Sequence, residues 1–175
     1  YKPYGFTHRY IQANVSKLVR CNWKVVMEAF MEAYHVIATH PHQMLMSSDC
    51  GNTHYDVFGN FGRGAQWPNP GSTFRGMMST EEEGLEMYRR SADGNRALIG
   101  ALTGEDLSEW SDAELNGGGF NDLFPNLHPW GGWMRIVFRF RPHGSNPDEA
   151  QMDIYLLAPW PKDKPRPAPA KHRKL

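Results

Sequence analysis

Trp23, Val26, Phe30, Tyr34 and Ile37 recur at spacings of three and four. That period places them on one face of an amphipathic helix over 22–37. Glu28, Glu32, His35 and Thr39 fall on the opposite side. Pro41 predicts a helix end before residue 40, because proline pushes the preceding residue out of the helical region. Farther on, Met134, Ile136, Phe138 and Phe140 alternate with Arg135, Val137, Arg139 and Arg141. After a polar turn over 142–148, Met152, Ile154 and Leu156 alternate with Asp153, Tyr155 and Leu157. Two such runs predict an antiparallel hairpin with one face buried.

The rest of the chain is more punctuated. Residues 51–61 carry Tyr, Val and Phe between glycines and predict a strand with bends. Trp67-Pro68-Asn69-Pro70-Gly71 has the chemistry of a loop. Thr80-Glu81-Glu82-Glu83 reads as a capping box that opens a helix to about Arg90, with acids in its first turn. Residues 116–130 hold Gly117-Gly118-Gly119, Pro125 and Pro129, and predict a long loop. Pro159, Pro161, Pro165, Pro167 and Pro169 predict a stiff, extended tail that does not pack.

Composition narrows the class. Lys+Arg and Asp+Glu both number 19 in 175 residues, so the formal net charge is zero. That balance argues against non-specific nucleic-acid binding and against docking on an anionic membrane. No run of about 18 apolar residues is present, and residues 1–5 lack the zones of a signal peptide. Two cysteines, Cys21 and Cys50, make no disulfide framework and point to a reducing cytoplasm. The chain starts at Tyr1 without a Met and stops in a Pro/Lys/Arg-rich stretch, which reads as an excerpt of a longer polypeptide.

One constellation carries chemistry. Glu32 and His35 are three apart, about 60° around a helix, and face the same way. His35 and His40 are five apart, about 140° around, and share a metal only where the helix bends or ends between them. Neutral imidazoles ligate Fe, Zn, Cu and Ni without choosing among them. Two His and one carboxylate on one face of a metal form the facial triad of non-haem Fe(II) oxygenases. The same residues also suit the solvated face of a core helix, and spacing alone leaves both readings open.

Asn22-Trp23-Lys24, Glu28, Phe30, then Glu32-Ala33-Tyr34-His35 through Thr39-His40-Pro41 closely resembles the start of the catalytic domain of Rieske-type ring-hydroxylating oxygenase large subunits. Phe124-Pro125-Asn126-Leu127-His128-Pro129-Trp130 and the hairpin after it are similar to the same domain, less specifically. The resemblance covers most of 20–158. It implies an α+β helix-grip (START-like) fold, with a curved antiparallel sheet packed on a long helix. Residues 1–158 would be a partial oxygenase catalytic domain and 159–175 an extended tail. The N-terminal Rieske domain and the C-terminal iron-ligand helix would be absent.

The resemblance also assigns roles. His35 and His40 would ligate the mononuclear Fe(II). Glu32 would hydrogen-bond the iron-bound histidine and link it to a cluster histidine of a neighbouring subunit, as a second carboxylate shell that orients the ring. Phe30, Met31 and Val36 would touch substrate, each equally suited to ordinary core, while Tyr34 would pack against the domain. No paired Cys-x-His and Cys-x-x-His segments occur, so the [2Fe–2S] cluster would sit in a part of the protein not present here. The third iron ligand, an Asp, would follow residue 175. Asp153, beside Arg135, Arg139 and Arg141, suits a cross-strand ion pair better than a ligand role. His42 and His54 read as surface or loop residues, and His128 as a residue that could line the pocket. Asp49, Asp56, Asp112 and Asp122 have no motif behind them.

The activity implied is hydroxylation, first of all cis-dihydroxylation, of a small aromatic or apolar substrate with O2. Electrons would come from NADH through ferredoxin and reductase partners, in a homo-oligomer for which the resemblance implies a trimer. The scaffold also supports monooxygenation and oxidative demethylation. The rival from another class is a non-redox module that binds an apolar ligand.

Overall fold

The computed structural model describes residues 4–39, 53–66, 73–74, 77–78, 81–116, 120–130, 133, 135–161 and 163–175. Trp67 to Gly71, Thr80, Gly117 to Gly119, Met134, His40, His42, Asp49 and Cys50 lie outside them, as do the side chains of Val36 and Ile37.

The N-terminal strand β1 (Arg9–Val19) leads to α1 (Trp23–Glu28) and α2 (Ala33–Thr39). A hairpin, β2 (Thr53–Phe58) and β3 (Phe61–Gln66), and the two-residue strands β4 (Thr73–Phe74) and β5 (Met77–Met78) follow. Next come α3 (Glu81–Thr103) and α4 (Asp112–Asn116), then β6 (Phe120–Leu123) and β7 (Leu127–Trp130). The chain closes with β8 (Ile136–His143), β9 (Asn146–Pro159) and β10 (Arg173–Lys174). Among the described residues, eight strands form one sheet in the order β10-β1-β9-β8-β7-β6-β3-β2, and β4 pairs with β5 apart from it. Every pairing in the large sheet is antiparallel except β1 with β10. The architecture is therefore mixed α+β.

The predicted hairpin is β8–β9, joined through Gly144, whose φ of 61° suits a residue without a Cβ. Its period-two pattern places Phe138, Phe140 and Met152 in a buried cluster, covered by Trp23, Val26, Met27 and Phe30. A second cluster unites Ala92, Ile99, Leu107, Leu115 and Trp133 where α3 meets α4. Arg9, only 2% exposed, lies 4.0 Å from the Trp133 ring and 4.6 Å from Phe6. Burial lowers its pKa to about 10.

Several expectations need correction. The helix predicted over 22–37 is two helices. Asn22 caps the first, its side chain accepting from Lys24 N at 3.0 Å. The chain then tightens, with Phe30 N bonding Met27 O and Met31 N bonding Glu28 O, and leaves the helical path. The new phase leaves Tyr34 74% exposed rather than packed against the domain. The helix expected to end near Arg90 runs on to Thr103, because Ala92 and Ile99 bury against α4 and outweigh the poor propensity of Gly94 and Gly100. Within the loop predicted over 116–130, β6 and β7 form a hairpin whose turn holds a cis Phe124–Pro125 bond. The tail is extended, but it docks along β1: Ala170 N bonds Ile11 O at 2.8 Å and Leu175 N bonds Ser16 O at 2.9 Å. The expected bent strand over 51–61 is the β2–β3 hairpin, reversed at Gly59.

Candidate functional site

The break between α1 and α2 decides where the candidate residues lie. Glu32 is exposed in the connection, just ahead of α2. Met31 beside it is half-buried. His35 is half-buried on α2, with Thr39 Oγ1 3.4 Å from its Nδ1. His40 lies outside the described residues, so the geometry of the two imidazoles together is not described.

Phe30 is the hub of the aromatic contacts. Its ring lies 4.8 Å from that of Phe138, 5.4 Å from Phe140 and 6.1 Å from His128, centroid to centroid. On its other contact it stacks on His35 at 6.4 Å with an interplanar angle of 26°. That distance falls within the range of aromatic ring contacts.

Beneath Phe30 lies an arrangement that sequence reasoning only half found. His128, fully buried on β7, sits opposite Phe138 of β8 and on the same sheet face. Its Nδ1 is 2.5 Å from Asp122 Oδ1 on β6. A carboxylate only accepts, so the Nδ1–H donates. Asp122 accepts as well from the Tyr55 hydroxyl on β2. Burial first, and then the bond and charge of Asp122, push the Tyr55 phenol up, which keeps it a donor. Tyr55 crosses Gly62, where a Cβ would stand 2.8 Å from Tyr55 Cζ. Asp122 carried no motif; the β6–β7 turn sets residues six apart face to face, and that turn was not read from the sequence.

Asp153 does what its neighbours implied. It is 2% exposed, 2.8 Å from Arg139 and 3.0 Å from Arg141. Ser16 Oγ donates to it at 2.6 Å and Gln151 Nε2 at 2.8 Å. Burial alone would raise its pKa, but the bonds from Ser16, Gln151, Arg141 and Arg139 outweigh that and hold it at about 2. Asp153 is thus committed within the sheet. His54 is exposed on β2, as expected; Asp56 pairs with Arg63 and Asp112 with Arg96.

Among the described residues, no three His, Cys, Asp or Glu side chains converge as a metal site. The described part of the candidate centre nevertheless suits one. His35 is a nitrogen donor held at the edge of an apolar aromatic cluster, and neutral imidazole suits a mononuclear iron. A cleft of about 30 Å³ between Trp133, Trp160, His8 and Glu105 touches none of the candidate residues and has room for water alone. No helix among the described residues is long and apolar enough to cross a membrane.

A comparison with curated proteins finds no match. The family model of the ring hydroxylating alpha subunit (catalytic domain) matches residues 6–170, nearly the whole chain. That span takes in α1, α2, the His128–Asp122 pair and the β8–β9 hairpin. The chain belongs to the ring hydroxylating alpha subunit family, matching its catalytic domain.

Proposed function

We propose that the chain is oxygenase machinery in which His35 and His40 hold a mononuclear Fe(II) and Glu32 orients the His35 ring. The observation that carries this reading is the half-buried His35 imidazole, stacked on Phe30, in a chain of the ring-hydroxylating family. When bound, the iron supplies the centre for O2 activation. The reaction proposed is cis-dihydroxylation of a small aromatic or apolar substrate. Electrons would come from NADH through ferredoxin and reductase partners and a Rieske [2Fe–2S] cluster. The proposal extends to the helix-grip form of the fold, a cytoplasmic location and a homotrimer.

The chain's own residues have defined parts in this reading. His35 and His40 would bind through neutral ring nitrogens, and the helix end expected at Pro41 would be what lets the two imidazoles share one metal. Glu32, three residues ahead of His35, would accept a hydrogen bond from the ring N–H of the ligand histidine, which selects its tautomer. Phe30, Met31 and Val36 would be the residues that touch substrate, and their apolar side chains would favour an aromatic ring over a polar molecule. Asp153, held by two arginines, is left out of the ligand set.

Anaerobic Fe(II) titration of the chain tests the assignment. His35→Ala and His40→Ala should each weaken binding, while Asp153→Asn should not. Binding unchanged in both histidine variants would sink the iron site.

A further inference from the structure

We infer that Phe30 is a positioning residue for the His35 imidazole, rather than only part of a substrate wall. The inference rests on the iron-site reading above and concerns how that site is held. Among the described residues, α1 packs on β8 and β9, whereas α2 has no comparable contact with any strand. Phe30 stands in the non-helical connection between the two helices, and its ring reaches in both directions. Inward it fills a socket of Phe138, Phe140 and His128; outward it stacks on His35. The socket is itself stiff. His128 is tied to Asp122 on the next strand, and Phe140 is fully buried.

The break in the helix follows from the same contact. No proline or glycine occurs over 29–32, so local propensity gives no reason to leave the helix there. Seating the Phe30 ring among three aromatic rings gives one, since dispersion and ring–ring contacts favour the departure. The ring thus fixes where α2 begins, and through a 26° stack it sets the plane of the imidazole. A residue that orients a ligand histidine acts on the metal without touching it, and such residues typically change affinity about 10–100-fold when replaced.

The test is Co(II) titration of the full chain, followed by visible absorption, on the parent, Phe30→Leu, Met152→Ala and His35→Ala. Phe30→Leu should raise the Co(II) Kd at least about 10-fold and alter the spectrum at saturation. Met152→Ala opens the same core cluster from β9, so it reports general destabilisation and should leave both readouts unchanged. Parent-like binding and spectrum in Phe30→Leu overturns the inference, as does an equal change in Met152→Ala. Unchanged binding in His35→Ala overturns the iron-site reading and this inference with it. Loss in His35→Ala with parent-like Phe30→Leu overturns the inference alone.

Discussion

His128 and Asp122 face each other across the β6–β7 hairpin, with Nδ1 2.5 Å from Oδ1 and the imidazole fully buried. A buried histidine among phenylalanines would be costly without that carboxylate. The pair therefore ties an outer part of the sheet, β2 and β6, to the aromatic cluster that receives α1 and Phe30.

Removing the acceptor should be expensive. Asp122→Leu leaves the His128 donor buried without its carboxylate and should cost about 1–3 kcal/mol. Asp122→Asn keeps one acceptor oxygen and should cost less. Urea denaturation of both variants gives the comparison, and equal costs would mean that the bond to His128 contributes nothing.

Gly62 is needed for the third member of this network. A methyl group there meets the far end of the Tyr55 ring, which can swing outward only by giving up Asp122. Gly62→Ala should therefore cost about 1 kcal/mol, the worth of one hydrogen bond. In a Tyr55→Phe background that bond is already lost, and the same substitution should cost clearly less. Additive costs in the double-mutant cycle would show that the two residues do not share an effect.

Asp153 makes acid sensitivity specific. Its folded pKa of about 2 lies below the ordinary carboxylate value of about 4. The depressed value means that its stabilisation is fully present above about pH 4 and is lost as pH falls towards 2, amounting to about 2 kcal/mol. Asp153→Asn should lower stability at pH 6 and flatten the pH dependence between about 4 and 2. Denaturation midpoints from pH 2 to 6 check it; a parent-like slope in the variant would assign the acid loss to other groups.

What could be read from the sequence follows a physical divide. The β8–β9 hairpin was legible because alternation over Ile136 to Phe140 is set by burial of one face, and the Asp153 pairing followed from its place opposite Arg139. The cap at Asn22 is a local bond, yet it was not read from the sequence. The break after Glu28 was not legible, because its cause is a tertiary contact of Phe30 rather than a local breaker. The β6–β7 hairpin was hidden by the same Gly and Pro residues that punctuate it. Its pairing of Asp122 with His128 had no local trace, since six-residue spacing means contact only once the turn is known. The tail's docking was likewise invisible, because Pro-rich composition reports stiffness and not a partner strand.

Glu32 offers the sharpest functional test. It is exposed immediately before α2, three residues ahead of His35, so its carboxylate is accessible to a neighbouring molecule. If it orients the ligand ring and couples it to a cluster histidine of another subunit, charge matters more than shape. Glu32→Gln keeps size and one acceptor but removes the charge. In the complete enzyme the variant should retain iron and a reducible cluster while forming product about 10–100-fold more slowly, the range for residues that support a metal ligand. Single-turnover oxidation of the reduced cluster separates this role from a solvated surface glutamate. An unmodified rate in Glu32→Gln would remove the residue from the mechanism, whereas loss of iron in the same variant would make it a ligand in its own right.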